Sequence, residues 1–225
     1  MTITHHPEHV QLLEYAAGDL KESVSLIIAT HLALCPTCRN AVSDAEMIGG
    51  VYLDSMRPEA ISDSALSSIM RRLDFADDDQ AIVYEKHSGQ SGDGKIDGVS
   101  IPEPLRSSLD VSESGSLNWL RMAAGIDRID ITNEHGVVAR MLRIDAGRAM
   151  PRHGHSADEQ TLVLSGGFSD EFGHFGPGDI ECADEDVVHR PVADASEPCI
   201  CLIVADAPIR LSGPFGKLLQ PFVRF

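Results

Sequence analysis

The sequence contains no run approaching the roughly 18 apolar residues that a membrane-crossing helix needs. Its first residues are polar and histidine-rich, without the charged-then-apolar order of a secretion signal. Both absences lead to the expectation of a cytoplasmic protein with no membrane association. Cysteine is scarce: five residues, an odd number with two in metal spacing, argue against a secreted disulfide framework and for a reducing compartment. Positive charge is scarce as well, with 18 Lys and Arg against 35 Asp and Glu and a formal net charge of −17. The imbalance is even along the chain, 7 basic against 16 acidic in residues 1–100 and 11 against 19 in residues 101–225. With no basic face to neutralise phosphates, direct nucleic-acid binding is disfavoured. An acidic surface instead suits a basic protein partner, and a DNA-binding protein is the obvious kind.

What the sequence does have is length for one large or two small domains and an ordinary core content, 225 residues at 43% hydrophobic. Its organising stretch is His31, Cys35 and Cys38. If residues 22–34 are helical, His31 lies on the last turn, Cys35 follows one turn on where Pro36 forces a new start, and Cys38 opens the next helix. Two thiolates and an imidazole at a helix corner make a tetrahedral metal site lacking one ligand. His5, His6 and His9, around Pro7, are the candidates for the fourth. A segment of about 40 residues is too small for a convincing core of its own, so a metal there would be structural.

Around that corner the pattern predicts helices. The first spans 7–18, with Leu12, Leu13 and Tyr15 apolar and Gly18 ending it. Asp19 is expected to cap a second, to about Leu34, with Leu20, Val24, Ile27, Ile28 and Leu32 as its apolar stripe. A third runs from Pro36 to about Leu53, and a fourth, capped by Ser62 or Asp63, carries Ala65, Leu66, Ile69, Met70 and Leu73. A small metal-stapled unit has little room to bury this last helix, so its apolar face reads as an offer to a partner. Residues 74–98, with Asp77, Asp78, Asp79 and four glycines between 89 and 98, read as a flexible linker.

From Ile101 onward the periodicity is that of strands, expected over 118–132 and 137–146 around a turn at 133–136, then over 160–164, 178–182, 187–192 and 199–204. Short strands punctuated by Gly and Pro suggest a barrel or jelly roll. Within it lies a second constellation, Gly147-x5-His153-x-His155-x3-Glu159-x6-Gly166. His153 and His155 share one side of an extended segment, Glu159 begins the next strand, and His189 completes three histidines and a carboxylate. Zinc, iron, manganese or nickel would suit such a set. Cys199 and Cys201 read as small buried hydrophobes, since residues i and i+2 of a strand make a strained disulfide. Cys182 reads as core, and His87, His135 and His174 as linker or turn residues.

On these residues the chain resembles the ChrR-type zinc-binding anti-sigma family. The segment from Thr4 to Gly50, with His5-His6, Tyr15-Ala-Ala-Gly18, Thr30-His31 and Cys35-x2-Cys38, is similar to the zinc anti-sigma domain. The second constellation matches the first cupin motif at each of its five fixed positions. The second cupin motif keeps Gly178 and His189, with Asp184, Asp186 and Ala193 in place of its Pro, Gly and Asn. The resemblance implies His6, His31, Cys35 and Cys38 as zinc ligands, His6 being preferred to His5 on that ground alone. It also implies a cupin metal at His153, His155, Glu159 and His189, zinc first, hence two metals per chain.

The resulting expectation is α+β in separate domains: a zinc-stapled helical bundle in residues 1–75, a flexible linker in 76–100 and a cupin jelly-roll barrel in 101–225. By resemblance the helical domain binds an extracytoplasmic-function sigma factor one to one and hides its polymerase- and promoter-binding surfaces. The cupin would answer an oxidative signal such as singlet oxygen or an organic hydroperoxide. No catalytic residue is assigned. The alternative is a cupin dioxygenase or isomerase using iron or manganese, with the helical unit for oligomerisation. The recognisable regulatory domain and the absence of a further acid/base constellation stand against it.

Overall fold

The computed structural model describes residues 2–74, 95–109, 116–134 and 137–211. Four helices open the chain, α1 (His9–Ala17), α2 (Glu22–Leu34), α3 (Pro36–Ser55) and α4 (Ala65–Asp74). Gly18 ends α1 in the left-handed region at φ 73°, with its N–H and that of Asp19 returning to the Tyr15 and Glu14 carbonyls. Asp19 is thereby used up in the turn, and Lys21 takes the cap position of α2, without a side-chain cap bond. This corrects the expectation for Asp19. Cys35 is extended, at φ −107° and ψ 104°, as a residue before proline must be, so it closes α2 and opens α3 at once.

A small hairpin follows, β1 (Lys95–Ile96) and β2 (Val99–Ser100), turning on Asp97 and Gly98, both at positive φ. Next comes the short α5 (Glu103–Arg106). Residues 95–100 therefore correct the expected linker, because Ile96 and Val99 are buried and fix the hairpin. Residues 76–94 of that linker lie outside the described residues.

The barrel comprises β3 (Leu120–Ala123), β4 (Ile126–Glu134), β5 (Val137–Ile144), β6 (His153–Gly154), β7 (Glu159–Ser165), β8 (Phe168–Ser169), β9 (His174–Phe175), β10 (Ile180–Ala183), β11 (Val188–His189), β12 (Val192–Ala193), β13 (Cys199–Ala205) and β14 (Arg210–Leu211). The six-stranded antiparallel sheet is ordered β10-β7-β13-β5-β4-β3, and two three-stranded sheets, β11-β6-β14 and β12-β8-β9, complete the jelly roll. The single strand expected over 118–132 is instead a hairpin, because Gly125, at φ 73°, reverses the chain between β3 and β4. The expected turn residues His135 and Gly136 lie outside the described residues, though the ladder on either side runs to Glu134 opposite Val137.

Alternation along the strands sorts the core into two layers. Leu142, Ile144, Val163, Cys199 and Cys201 point into the barrel. Their neighbours Met141, Leu162, Leu202 and Val204 point the other way and share a core with Leu12, Ile27, Ile28 and Leu32 of the helices. The helices and the barrel, expected as separate domains, are thus packed on one another. Each fully buried Ile or Leu contributes about 1.5–3 kcal/mol. The double burial explains why β13 reads as an unbroken apolar run, why β7 is buried from Gln160 to Leu164 and why α2 buries residues on more than one side.

Two candidate metal centres

At the helical corner His31 is completely buried, with Nε2 3.3 Å from Cys38 Sγ. His6 Nδ1 lies 3.5 Å from Cys35 Sγ and 3.3 Å from Cys38 Sγ, and the four donor atoms all fall within 4.8 Å of one another. A tetrahedral ion with Zn–S of about 2.3 Å and Zn–N of about 2.0–2.1 Å has ligand-to-ligand edges of about 3.3–3.8 Å, so the set has the spacing of a coordination shell. Burial pulls His31 down to about 4, outweighing its bond to the Gly178 carbonyl, and keeps the imidazole neutral. Burial, with Cys35 adding to it, pushes Cys38 up to about 12. Binding a metal there must therefore displace a thiol proton.

The other two N-terminal histidines lie elsewhere. The His5 ring lies tilted against Phe175 with centroids 4.4 Å apart, and His9 is exposed at the start of α1. The arm bearing His6 is held from the barrel side. Asp179 Oδ1 accepts the Thr4 and His5 N–H groups at 2.7 and 2.9 Å, and the Ile180 N–H donates to the His5 carbonyl at 3.2 Å. The arm thereby lies against β10, the edge strand of the six-stranded sheet.

In the barrel, β11 pairs with β6 so that His189 stands opposite His153. His189 Nε2 is 3.2 Å from His153 Nε2 and 3.1 Å from His155 Nε2, and all three rings are buried. The His153 Nδ1–H donates to the Pro151 carbonyl at 2.8 Å, and the His189 Nδ1–H to Asp170 at 2.7 Å and Glu181 at 3.1 Å. Both rings consequently turn their Nε2 lone pairs toward the same point, which calls for a cation between them. Burial would lower His189, but Glu181 and Asp170 outweigh it and hold the ring up at about 9, so in the bare protein a proton supplies that charge. Burial also lifts Glu181 to about 7, whereas Asp170 is drawn below the carboxylate range, its desolvation outweighed by bonds from Glu181 and His189.

Glu159 lines the same cavity, but its carboxylate sits 3.6 Å from His155 Nδ1, on the far side of that ring from the Nε2 cluster. His153 and His189 line a cavity of about 70 Å³, mostly apolar, with Arg140 and Glu159 among its polar walls. The helical set, with four donors including two sulfurs, is of the closed structural kind, whereas the barrel set leaves positions open to a ligand.

Asp170, Asp179 and Glu181 were not foreseen from the sequence. Glu181 lies eight residues before His189, and only the barrel closure shows that the two meet. Cys199 and Cys201 are buried free thiols, as expected. Cys182 is exposed, a correction to its reading as core: alternation on β10 turns it out of the barrel where the helices do not cover it. His174 lies in β9 beside Asp194, at 3.0 Å.

Fold and sites together define a cupin-barrel protein with a helical His/Cys metal-type unit packed on its sheet. Residues 108–208 match the ChrR cupin-like domain family. The chain is 37% identical over 224 residues to the anti-sigma-E factor ChrR of Cereibacter sphaeroides, covering all of both chains. It superposes with TM-score 0.73 and 35% identity on a chain of the crystal structure of Rhodobacter sphaeroides SigE in complex with the anti-sigma ChrR, over 91% of this chain and 99% of that one. The chain belongs to the ChrR family of anti-sigma factors, regulatory proteins rather than enzymes.

Proposed function

We infer that this protein binds and inhibits an extracytoplasmic-function sigma factor, one to one, through its N-terminal helical unit. The observation that carries this is the likeness over the full length to a ChrR that was crystallised with SigE. The surface agrees with it. The second half of α3 exposes Met47, Ile48, Val51 and Tyr52, the last two at 72%, and α4 exposes Leu66, Ile69 and Met70. These are neighbours at helical spacing and form faces that another protein's groove can bury. An acidic chain of net charge −17 would also attract a basic DNA-binding partner.

Residues 1–75 are taken as the inhibitory unit and 101–225 as the cupin. His6, His31, Cys35 and Cys38 are assigned to a structural zinc, which when bound adds its binding energy to the folding of the helices. His153, His155 and His189, with Glu159 lining the adjoining cavity, are assigned to a second divalent ion, zinc first. The barrel is taken as the part that answers an oxidative signal such as singlet oxygen or an organic hydroperoxide. Its buried thiols and the cavity beside the histidines support that role. Among the described residues no helix is long and apolar enough to cross a membrane, which fits action in the cytoplasm.

The test is co-expression of the full chain with its cognate extracytoplasmic-function sigma factor. A stable one-to-one complex that silences transcription from the sigma factor's promoters is expected. A well-folded, metal-loaded chain that neither binds nor silences would remove the reading.

A further inference from the structure

Four consecutive residues of the barrel touch both candidate centres. The Gly178 carbonyl accepts the Nδ1–H of His31 at 2.9 Å, which fixes that ring with Nε2 toward the cysteines. Asp179, itself 5% exposed, takes the backbone N–H groups of Thr4 and His5 on one oxygen and that of Gly176 on the other, at 2.9 Å. Ile180 donates to the His5 carbonyl and packs into the core shared with the helices. Glu181, the next residue, faces the barrel cavity and binds His189 Nδ1. Gly178 is at φ +91°, and a Cβ there would lie 2.6 Å from the Ile3 side chain, so the segment and the arm fit closely.

We propose that the segment Gly178 to Glu181 couples the two centres: it positions His6 and His31 from the barrel side, and occupancy of the barrel centre sets how firmly the helical centre holds its metal. The proposal rests on both clusters holding metal, as assigned above. Its physical content is outer-sphere support. Contacts that orient a ligand change metal affinity by about 10–100-fold when removed. A shift of Glu181 with His189 is passed along one strand, within two residues, to the carboxylate that clamps the arm of His6. By linkage the effect runs in both directions.

The experiment uses the full chain loaded with cobalt, whose thiolate charge-transfer band reports on the Cys35/Cys38 centre and not on the three imidazoles. Release to a chelator is followed in wild type, Asp179→Ala, Asp179→Asn, Glu181→Gln and His153→Ala. Asp179→Ala should speed release from the helical centre by about 10-fold or more. Asp179→Asn, which keeps an acceptor oxygen, should fall between it and wild type. Glu181→Gln and His153→Ala, neither of which touches the helical unit, should speed it by about 5-fold or more. Unchanged release in Asp179→Ala would overturn the clamp. Faster release in Asp179→Ala with wild-type rates in Glu181→Gln and His153→Ala would overturn the coupling and leave the barrel a passive scaffold. A wild-type chain with no thiolate–cobalt band would overturn the metal assignment itself, and the coupling with it.

Discussion

The two centres handle charge in opposite ways. At the helical corner burial holds His31 neutral, down at about 4, and Cys38 as a thiol, up at about 12. In the barrel two carboxylates overcome burial and keep His189 charged, up to about 9. One site offers a neutral imidazole, His31, and a thiol, Cys38, that must give up its proton to take a cation; the other already holds a positive charge in its place, on His189. The difference follows from what lies behind each ring. His31 is backed by a neutral carbonyl, Gly178, whereas His189 is backed by Asp170 and Glu181.

The largest way to break this comparison is to remove the sulfurs. Cys35→Ala/Cys38→Ala should abolish the complex with the sigma factor, a loss of 100-fold or more (about 2.7 kcal/mol or above). The barrel should keep its own metal, so elemental analysis should fall from about two ions per chain to about one. Both ions lost together would mean that the barrel centre keeps its ion only while the helical centre is filled. Next in size, Leu66→Asp/Ile69→Asp should cost about 2–4 kcal/mol of partner affinity, read by titration calorimetry, with metal content and melting temperature unchanged.

The pH dependence of the metal-free chain sharpens the contrast in charge. His31 has its folded value below the unfolded one, so acid favours the unfolded chain: stability should fall as pH drops from about 6.5 toward about 4, by at most about 1.4 kcal/mol per pH unit. His189 has its folded value raised, so its contribution is complete below about 6.5 and is lost as pH rises through about 9. Denaturant titrations across both windows should show a stability maximum between them, and bound metal should steepen the acid limb, because the coordinated thiolates and imidazoles take up protons only when the chain unfolds or the metal leaves. The smallest effect should be that of His153→Ala on basal inhibition, within about threefold of wild type in partner affinity (about 0.7 kcal/mol), while the response to an oxidant is lost.

Much of this was legible where chemistry is local. His31, Cys35 and Cys38 fall within two helical turns of one another, and His153 and His155 sit two apart in sequence at the end of β6, so spacing alone brings their donors together. The helix ends at Gly18 and Pro36 were legible for the same reason. What sequence did not reveal is non-local. Glu181 reaches His189 from β10 and Asp170 from the loop after β8, and Asp179 meets Thr4 across most of the chain. The packing of helices on barrel was hidden behind a linker-like composition. A signal was present in α2, where Ile27, Ile28, Thr30 and His31 are all buried and cover more than one stripe. A helix apolar beyond a single face is buried on more than one side. Gly125 was passed over because alternation continues on both sides of it.

The N-terminal arm has a further consequence. Lying against β10, it covers the free border of the six-stranded sheet. A sheet border with unpaired amides is a template for another chain. Loss of the arm's grip would therefore do more than loosen His6, since it would bare a strand edge to neighbouring molecules. A chain that has let go of its metal should for that reason be prone to self-association and to rapid clearance.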